Sequence, residues 1–370
     1  MRAPGAAESE PSGLRAGGLR VALLQGGTSA EREISLASAR CIREGLEGAG
    51  HRVMPITITE EGSWLHRGER LALHPGEGLL DADLAFPALH GPYGEDGTVQ
   101  GVLETLRIAY VGSDLPASAI CIDKIRFKDL MRAYGVPQVR YVGIEGAWAQ
   151  ALAGAAPPKG ASDPAEAAER LSALRASIAD LGLPLFVKPA RMGSSLGIAR
   201  VDHERELPGA IAGALRHDRR VIIEQAASGV EVECALLEDP AGGPPLVSTP
   251  GAVHPQGDWY DFGAKYSAGG MELSVPAPLP EALLASVRRQ ALAVFEQVGA
   301  AHLARVDFFV CGEEVLVNEL NTMPGFTPTS VYPRLLEHEG LRYAGLLERL
   351  CALALAREDR SSTPAPSSPR

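Results

Sequence analysis

The sequence predicts a mixed architecture, α/β plus α+β: an N-terminal parallel α/β domain followed by two α+β lobes. Two observations carry this. In the first third of the chain, an apolar run, a glycine-rich loop and a helical pattern follow one another twice, the order that lays helices over parallel strands. After about residue 180, strand-like runs follow one another closely, some separated only by glycine-containing turns, which favours antiparallel hairpins with a few helices.

Residues 1–18 and 358–370 are rich in Ser, Pro, Gly and Ala and read as flexible tails. LRVALLQ (19–25) is a strand; after GGTSAE comes a helix with apolar positions at Ile34, Ala37, Cys41, Ile42 and Leu46. DLAFPALH is a second strand ending at His90, before GPYGEDG and the helical TVQGVLETLR. These make an N-terminal domain over 19–116. The central lobe, 117–230, carries an Ala/Pro-rich segment about 146–175, read as a surface insertion whose second half turns helical. Its strands are LPLFVKPA, GIARV and RVIIEQ. The C-terminal lobe, 231–357, holds VEVECALLED, ARVDFFV and EVLVNELN. Within it, HPQGDWYDFGAKYSAGG is glycine-rich, aromatic and aperiodic, a long loop of the kind that covers active sites.

The 370 residues suffice for two or three domains at roughly 100–200 residues each. With 45% hydrophobic and 22% charged residues, wholesale disorder and fibrous folds are excluded. The net charge of -11 repels phosphate backbones and anionic lipid surfaces, which argues against a nucleic-acid or membrane partner. An anionic ligand must therefore be held by local Lys, Arg and backbone amides. No apolar run approaches the roughly 20 residues of a membrane span, and the first residues lack a secretory apolar core. The cysteines (Cys41, Cys121, Cys234, Cys311, Cys351) are widely spaced without a C-x-x-C pair and read as reduced thiols in a cytoplasmic protein.

The chemistry concentrates in ARVDFFVCGEEVLVNELN. Arg305 and Asp307 are two residues apart and share a strand face, as do Glu319 and Asn321, and the CGEE turn is short enough to bring the two faces together. A single carboxylate there would read as a solvated polar face. Four polar groups in register within apolar strands point instead to an all-oxygen site for a hard cation, with Arg305 ready to neutralise a reacting oxygen. In LFVKPARMGSSLGIARV, Lys188 ends a strand before a loop holding Gly193, Ser194 and Ser195, suited to phosphate, although a plain hairpin turn has the same pattern. It is not a Walker loop, because it joins two strands. VIIEQAASGVEVE places Glu224 and Gln225 at a strand end and Glu231 at the next strand's start, where a base and ribose could be met. Thr28-x-x-Glu31 has capping-box spacing, yet Glu31 also sits at a sheet's carboxyl edge beside the loop carrying His90 and Glu95. Lys124 lies on a predicted helix, where a solvated side chain is the default.

The ordered combination GGTSAEREIS, LHGPYGEDGTVQG, DK, VKPARMGSSLG, IIEQ, YDFGAKYS, ARVDFF and VNELNTMPGFTPTS resembles the D-alanine–D-alanine ligase family of ATP-grasp enzymes, over roughly residues 19–356. The resemblance implies an ATP-grasp fold whose two α+β lobes clasp ATP. Its phosphates would meet Lys124, Lys188, Lys265 and the Gly193–Ser194 loop. Adenine would meet Glu224 and the backbone near Gln225 and Ala227, the ribose Glu231, with Asn318 and Glu319 also on the nucleotide side. Mg2+ or Mn2+, as two ions, would rest on Asp307, Glu319 and Asn321. Glu31 and His90 would hold the first D-alanine; Glu95, Lys265 and Arg305 also line the substrate site, and Ser330 would hold the second D-alanine's carboxylate. Glu31, Ser194 and Tyr266 would tie the lid across the site. The implied reaction forms an acyl phosphate that the second amine attacks, with Arg305 and the Gly325 amide on the oxyanion, as a step towards peptidoglycan in a homodimeric cytoplasmic enzyme.

Gln225 stands where this family often has Lys, and the central insertion carries no matched motif. Competing readings are a D-lactate or D-serine ligase of the same fold, and a catalytically silent ATP-binding protein. Tyr266 in AKY resembles the D-alanine type. The silent protein predicts erosion of the Arg305, Asp307, Glu319 and Asn321 set, which is intact.

Overall fold

Three β-sheets organise the chain in the computed structural model, which describes residues 18–156, 164–193, 196–255, 271–327 and 329–362. The first contains β1 (Arg20–Gly26), β2 (Arg52–Ile58), β3 (Trp64–His66), β4 (Glu69–Arg70) and β5 (Leu84–Pro87), in the order β4-β3-β2-β1-β5. β2, β1 and β5 are parallel, so the loops leaving β1 and β5 lie side by side at one edge. β5 ends at Pro87 rather than His90; its last ladder bond, from the Ala88 amide to Leu24, is followed by the loop. α1 (Arg32–Gly48) buries Ile34, Ala39, Ile42 and Leu46, and α2 (Thr98–Leu106) covers the β5 side.

The second sheet, in the order β6-β9-β7-β8, joins β6 (Tyr141–Glu145), β7 (Leu185–Pro189), β8 (Ala199–Val201) and β9 (Arg220–Gln225), all antiparallel. α5 (Gly146–Leu152), α6 (Pro164–Leu181) and α7 (Leu207–Ala214) pack on it. The segment 146–175 is therefore not a surface addition: Ala149, Leu152 and Leu171 belong to the lobe's core, because α6 presents an apolar stripe continued by Ile178 and Leu181.

The third sheet runs β13-β12-β10-β14-β15, with β11 (Leu246–Val247) beside β10. Its members are β10 (Val230–Leu237), β12 (Gly251–Pro255), β13 (Met271–Ser274), β14 (Leu303–Cys311) and β15 (Glu314–Asn321). VIIEQAASGVEVE thus crosses from one sheet to another. α8 (Glu281–Val298) covers this sheet together with α3 (Leu115–Ile122) and α4 (Lys124–Ala133), whose Cys121, Phe127 and Met131 join its core. Helices expected in the central lobe therefore pack on the C-terminal one.

α9 (Val331–His338) and α10 (Tyr343–Ser362) return to the first domain, α10 against α1, and α10 continues into the stretch expected to be a tail. Phe326 meets Phe86 edge-to-face with centroids 5.9 Å apart, and the Tyr332 hydroxyl donates to the Leu236 carbonyl. This packing holds residues 322–327 against the carboxyl edge of the first sheet, and each buried aromatic or leucine contributes about 1.5–3 kcal/mol. All five cysteines are free thiols. Among the described residues, no helix is long and apolar enough to cross a membrane.

Candidate active site

The β14–β15 hairpin forms as its alternation predicts. Arg305 is registered against Asn321 and Asp307 against Glu319, so all four side chains stand on one face. A bulge follows Asp307, and Asn318 is the extra residue. The Arg305 guanidinium donates to both Asp307 oxygens at 2.7 and 2.6 Å, and its Nε lies 2.7 Å from Glu233 on the neighbouring β10. The Asn321 amide donates to Asp307 at 3.1 Å. Glu233, fully buried opposite Asp307, was not expected from the sequence.

Lys124, expected by default to be a solvated helix residue, is the first residue of α4 and is largely buried. Its backbone amide donates to Ala190, its Nζ donates to the Met192 carbonyl at 2.9 Å, and the same Nζ lies 3.1 Å from Glu319. It ties α4, the glycine loop after β7 and β15 together. Asp123 caps α4 through its side chain and is paired with Arg220 of β9. Lys188 lies 2.5 Å from Glu224, and on the other side of that carboxylate stands Lys128 at 3.3 Å, a second residue the sequence reading passed over. Burial pushes the Glu224 carboxyl up, but the two lysine charges outweigh it and bring its pKa down to about 2.

Gln225 points its side chain to solvent, while its amide donates to Arg140 and that of Ala226 to Pro184. Ala227 follows in the crossing between sheets, and Glu231 is half-buried on β10 opposite Phe309.

At the edge of the first sheet, the capping box does not form. Helix α1 begins after Glu31, which occupies the cap position without a side-chain cap bond, and the Thr28 hydroxyl makes no hydrogen bond. The Glu31 carboxylate is instead buried between two glycine backbones, Gly91 and Gly193; a Cβ on Gly193 would lie 2.7 Å from Glu31 Oε2. Glu95 is buried beside it and accepts the Gly91 amide at 2.6 Å. Burial pushes the Glu95 carboxyl well above the usual carboxylate range, and the neighbouring Glu31 charge adds to the effect.

Both His90 ring nitrogens have protein partners: Nδ1 lies 3.2 Å from the Met323 carbonyl and Nε2 3.0 Å from the Ser38 hydroxyl. The carbonyl can only accept, so Nδ1 carries the proton and Nε2 accepts from Ser38. His90 therefore acts here by holding the 323–326 loop, whose Phe326 amide also donates to Ser38. Burial lowers its pKa to about 4, so it is neutral. In that loop Gly325 faces Ser330: a Cβ on Gly325 would lie 2.8 Å from the Ser330 hydroxyl, which also pairs with Thr327 at 2.8 Å. Ser330 stands at the start of α9. Ser194, Lys265 and Tyr266 lie outside the described residues.

Among the described residues, no three His, Cys, Asp or Glu side chains are arranged to hold a metal ion. The donor set still fits a hard cation: Asp307 and Glu319 face one another across the ladder with the Asn321 amide against Asp307, all able to offer oxygen.

An α/β domain with a parallel β2-β1-β5 core and an antiparallel β3–β4 edge, followed by two α+β lobes, with Lys124 of α4 reaching the acidic β14–β15 hairpin, has the layout of an ATP-grasp fold. The family model described as D-ala D-ala ligase N-terminus matches residues 20–76 and 69–113, and that described as D-ala D-ala ligase C-terminus matches 161–352. A D-alanine–D-alanine ligase of Kineococcus radiotolerans is 41% identical, over 91% of this chain and 97% of the relative. Among solved structures, the D-alanine-D-alanine ligase from Coxiella burnetii superposes with a TM-score of 0.76 at 31% identity, covering 94% of this chain and 96% of that one. The VanG D-Ala:D-Ser ligase from Enterococcus faecalis reaches a TM-score of 0.75 at 30% identity, covering 91% and 99%. The chain belongs to the D-alanine–D-alanine ligase family, whose members are ATP-dependent ligases that use a divalent metal.

Proposed function

We propose that this chain joins two D-alanines to D-alanyl-D-alanine at the expense of ATP, supplying a peptidoglycan precursor. The observation that carries the reading is the hairpin face on which Arg305, Asp307, Glu319 and Asn321 stand in register, with Lys124 reaching Glu319 from the neighbouring helix. The first D-alanine's ammonium sits at Glu31, between the β1 and β5 loops. Its carboxylate takes the γ-phosphoryl group of ATP, giving an acyl phosphate and ADP. The second D-alanine, its carboxylate at Ser330, attacks the acyl carbon with its amine, and phosphate leaves. Arg305 and the Gly325 amide receive the oxyanion.

Lys124, Lys188 and Lys265 with Gly193 and Ser194 bind the phosphates. The backbone of Glu224, Gln225 and Ala227, with Glu231 and Asn318, receives the nucleoside, the Glu224 carboxylate being taken up by Lys128 and Lys188. Two Mg2+ or Mn2+ ions would be held by Asp307, Glu319 and Asn321 and would neutralise phosphate charge. Tyr266 and Ser194 close with Glu31 over the intermediate, which water would otherwise destroy. The functional units are 19–116, 117–230 and 231–357, in a cytoplasmic homodimer, with α3 and α4 leaning on the last unit and α9 and α10 reaching back to the first.

The test is ADP release from purified protein with Mg-ATP and D-alanine, L-alanine, D-alanine plus D-serine or D-lactate, or no amino acid, with products identified by mass. Release that requires D-alanine and yields D-Ala-D-Ala is expected. A mixed product formed in preference would make it a ligase for another acceptor, and silence in every mixture would overturn the reading.

A further inference from the structure

Lys128 is among the most deeply buried charged side chains of the described residues, and no step above uses it. It lies on α4 one turn beyond Lys124 and is 1% exposed. Its Nζ stands 3.3 Å from Glu224 Oε1 and 5.8 Å from the centroid of the Tyr141 ring. Among the described residues neither that Nζ nor Glu224 Oε1 has another hydrogen-bond partner, and the two meet at 3.3 Å with charge as the larger part of their attraction. The other carboxylate oxygen is 2.5 Å from Lys188 Nζ. The result is a Lys–Glu–Lys triad, with Lys128 on the closed side and Lys188 on the side of the glycine loop.

A buried lysine is costly unless something repays its desolvation, and it draws on a single carboxylate here. Glu224 meanwhile holds Lys188, which the proposed function assigns to the phosphates of ATP. A carboxylate with one cation grips it more tightly than a carboxylate shared between two. We infer that Lys128 is a positioning residue that supplies Glu224 with a second counter-ion, so that Lys188 can turn from Glu224 to the nucleotide phosphates without leaving a bare buried carboxylate behind. The two lysines differ in their surroundings: burial lowers the Lys128 pKa although Glu224 opposes it, whereas for Lys188 burial is offset by Glu224 together with Glu319 and Glu231, and its pKa is raised.

The inference rests on the ATP reading and is separable from it by experiment. Binding of Mg-ATP and of adenosine, which has no phosphates, is measured by calorimetry for the wild type, Lys128→Met and Lys128→Arg. The wild type binds both. In Lys128→Met, ATP affinity falls about tenfold, adenosine affinity stays within about twofold, and Lys128→Arg, which keeps the cation, restores most of the loss. Equal losses for ATP and adenosine would mean a merely structural role and overturn the inference, as would unchanged ATP affinity or an Arg variant as weak as the Met one. Should Lys128→Met fail to fold, Lys128→Gln takes its place with the same two ligands. A wild type that binds no ATP would overturn the nucleotide reading and this inference together, whereas wild-type binding with an unaltered ratio in the variants would remove the inference alone.

Discussion

Gly193→Ala is a steric probe of the Glu31 site. Gly193 lacks the positive φ that would strain an alanine, so the added methyl acts through space alone. It would lie 2.7 Å from Glu31 Oε2, 3.2 Å from Oε1 and 3.3 Å from Cδ. Ordinary contact is about 3.4 Å, so the carboxylate or the glycine loop must move by roughly 0.5–1 Å. Misplacing a positioning group by about 1 Å costs on the order of 10²-fold, so kcat/KM for D-alanine should fall about 10–100-fold, or roughly 1.4–2.7 kcal/mol. Stability should change little, because the site is a loop and no core contact is lost. The assay is coupled ADP release at varied D-alanine, with melting temperature alongside. A double-mutant cycle with Glu31→Ala isolates the cause, since with that carboxylate gone the alanine should cost almost nothing further. Wild-type kcat/KM in the single variant, or an undiminished penalty in the Glu31→Ala background, would refute the placement of Glu31 against the glycine loop.

Arg305→Lys loses the two-pronged bond to Asp307 and should lower kcat about 10²–10³-fold with little change in ATP affinity; a KM effect alone would reassign the residue to binding. Glu319→Gln should cost more than the roughly 10–100-fold typical of groups that merely support a ligand, and should raise the Mg2+ needed for half-maximal rate; an unchanged Mg2+ dependence would remove Glu319 from the metal set. His90 has a folded pKa of about 4 against 6.5 for the free side chain, so the unfolded chain binds more protons between those values and stability is lost as pH falls through that window. His90→Gln should flatten that part of the melting curve, and an unaltered slope would refute the buried neutral assignment. ATP should bind roughly 5–150-fold more tightly with Mg2+ than with EDTA, and equal affinities would contradict the paired-charge layout described below.

The acidic hairpin was legible because strand alternation is local: Arg305, Asp307, Glu319 and Asn321 interrupt apolar runs at spacings of two, which fixes their face before any tertiary contact is known. Glu233 was not, because its place beside Asp307 depends on β10 pairing with β14, some seventy residues on in sequence. Lys128 left a signal that went unused: it follows Lys124 by four residues, one turn of helix, and so shares its face. The spacing of Ala167, Leu171, Leu174, Ile178 and Leu181 likewise repeats at four and three, a buried helical stripe concealed by the Ala/Pro-rich composition around it. Thr28 and Glu31 misled for the opposite reason. The capping spacing is present, but the Glu31 carboxylate packs against Gly91 of the β5 loop and Gly193 after β7 of the second sheet, and makes no cap bond at its own helix end.

These placements share a physical logic. Lys124 is paired with Glu319, Lys188 with Glu224, and Arg305 with Asp307 and Glu233. A cleft lined by bare cations would repel itself and destabilise the fold, and the carboxylates offset that within a chain of net charge -11. Partnered in this way, the cleft offers little to a free polyanion, since each cation must give up a carboxylate to take a phosphate. On the proposed reading, a nucleotide carrying a divalent cation would exchange both halves at once: Asp307 and Glu319 would hold the metal and the lysines the phosphates. Selectivity for the metal–nucleotide complex over either component would then follow from the pairing itself, because the complex would bring a cation to Asp307 and Glu319 as its phosphates draw the lysines away, while Lys128 stays with Glu224.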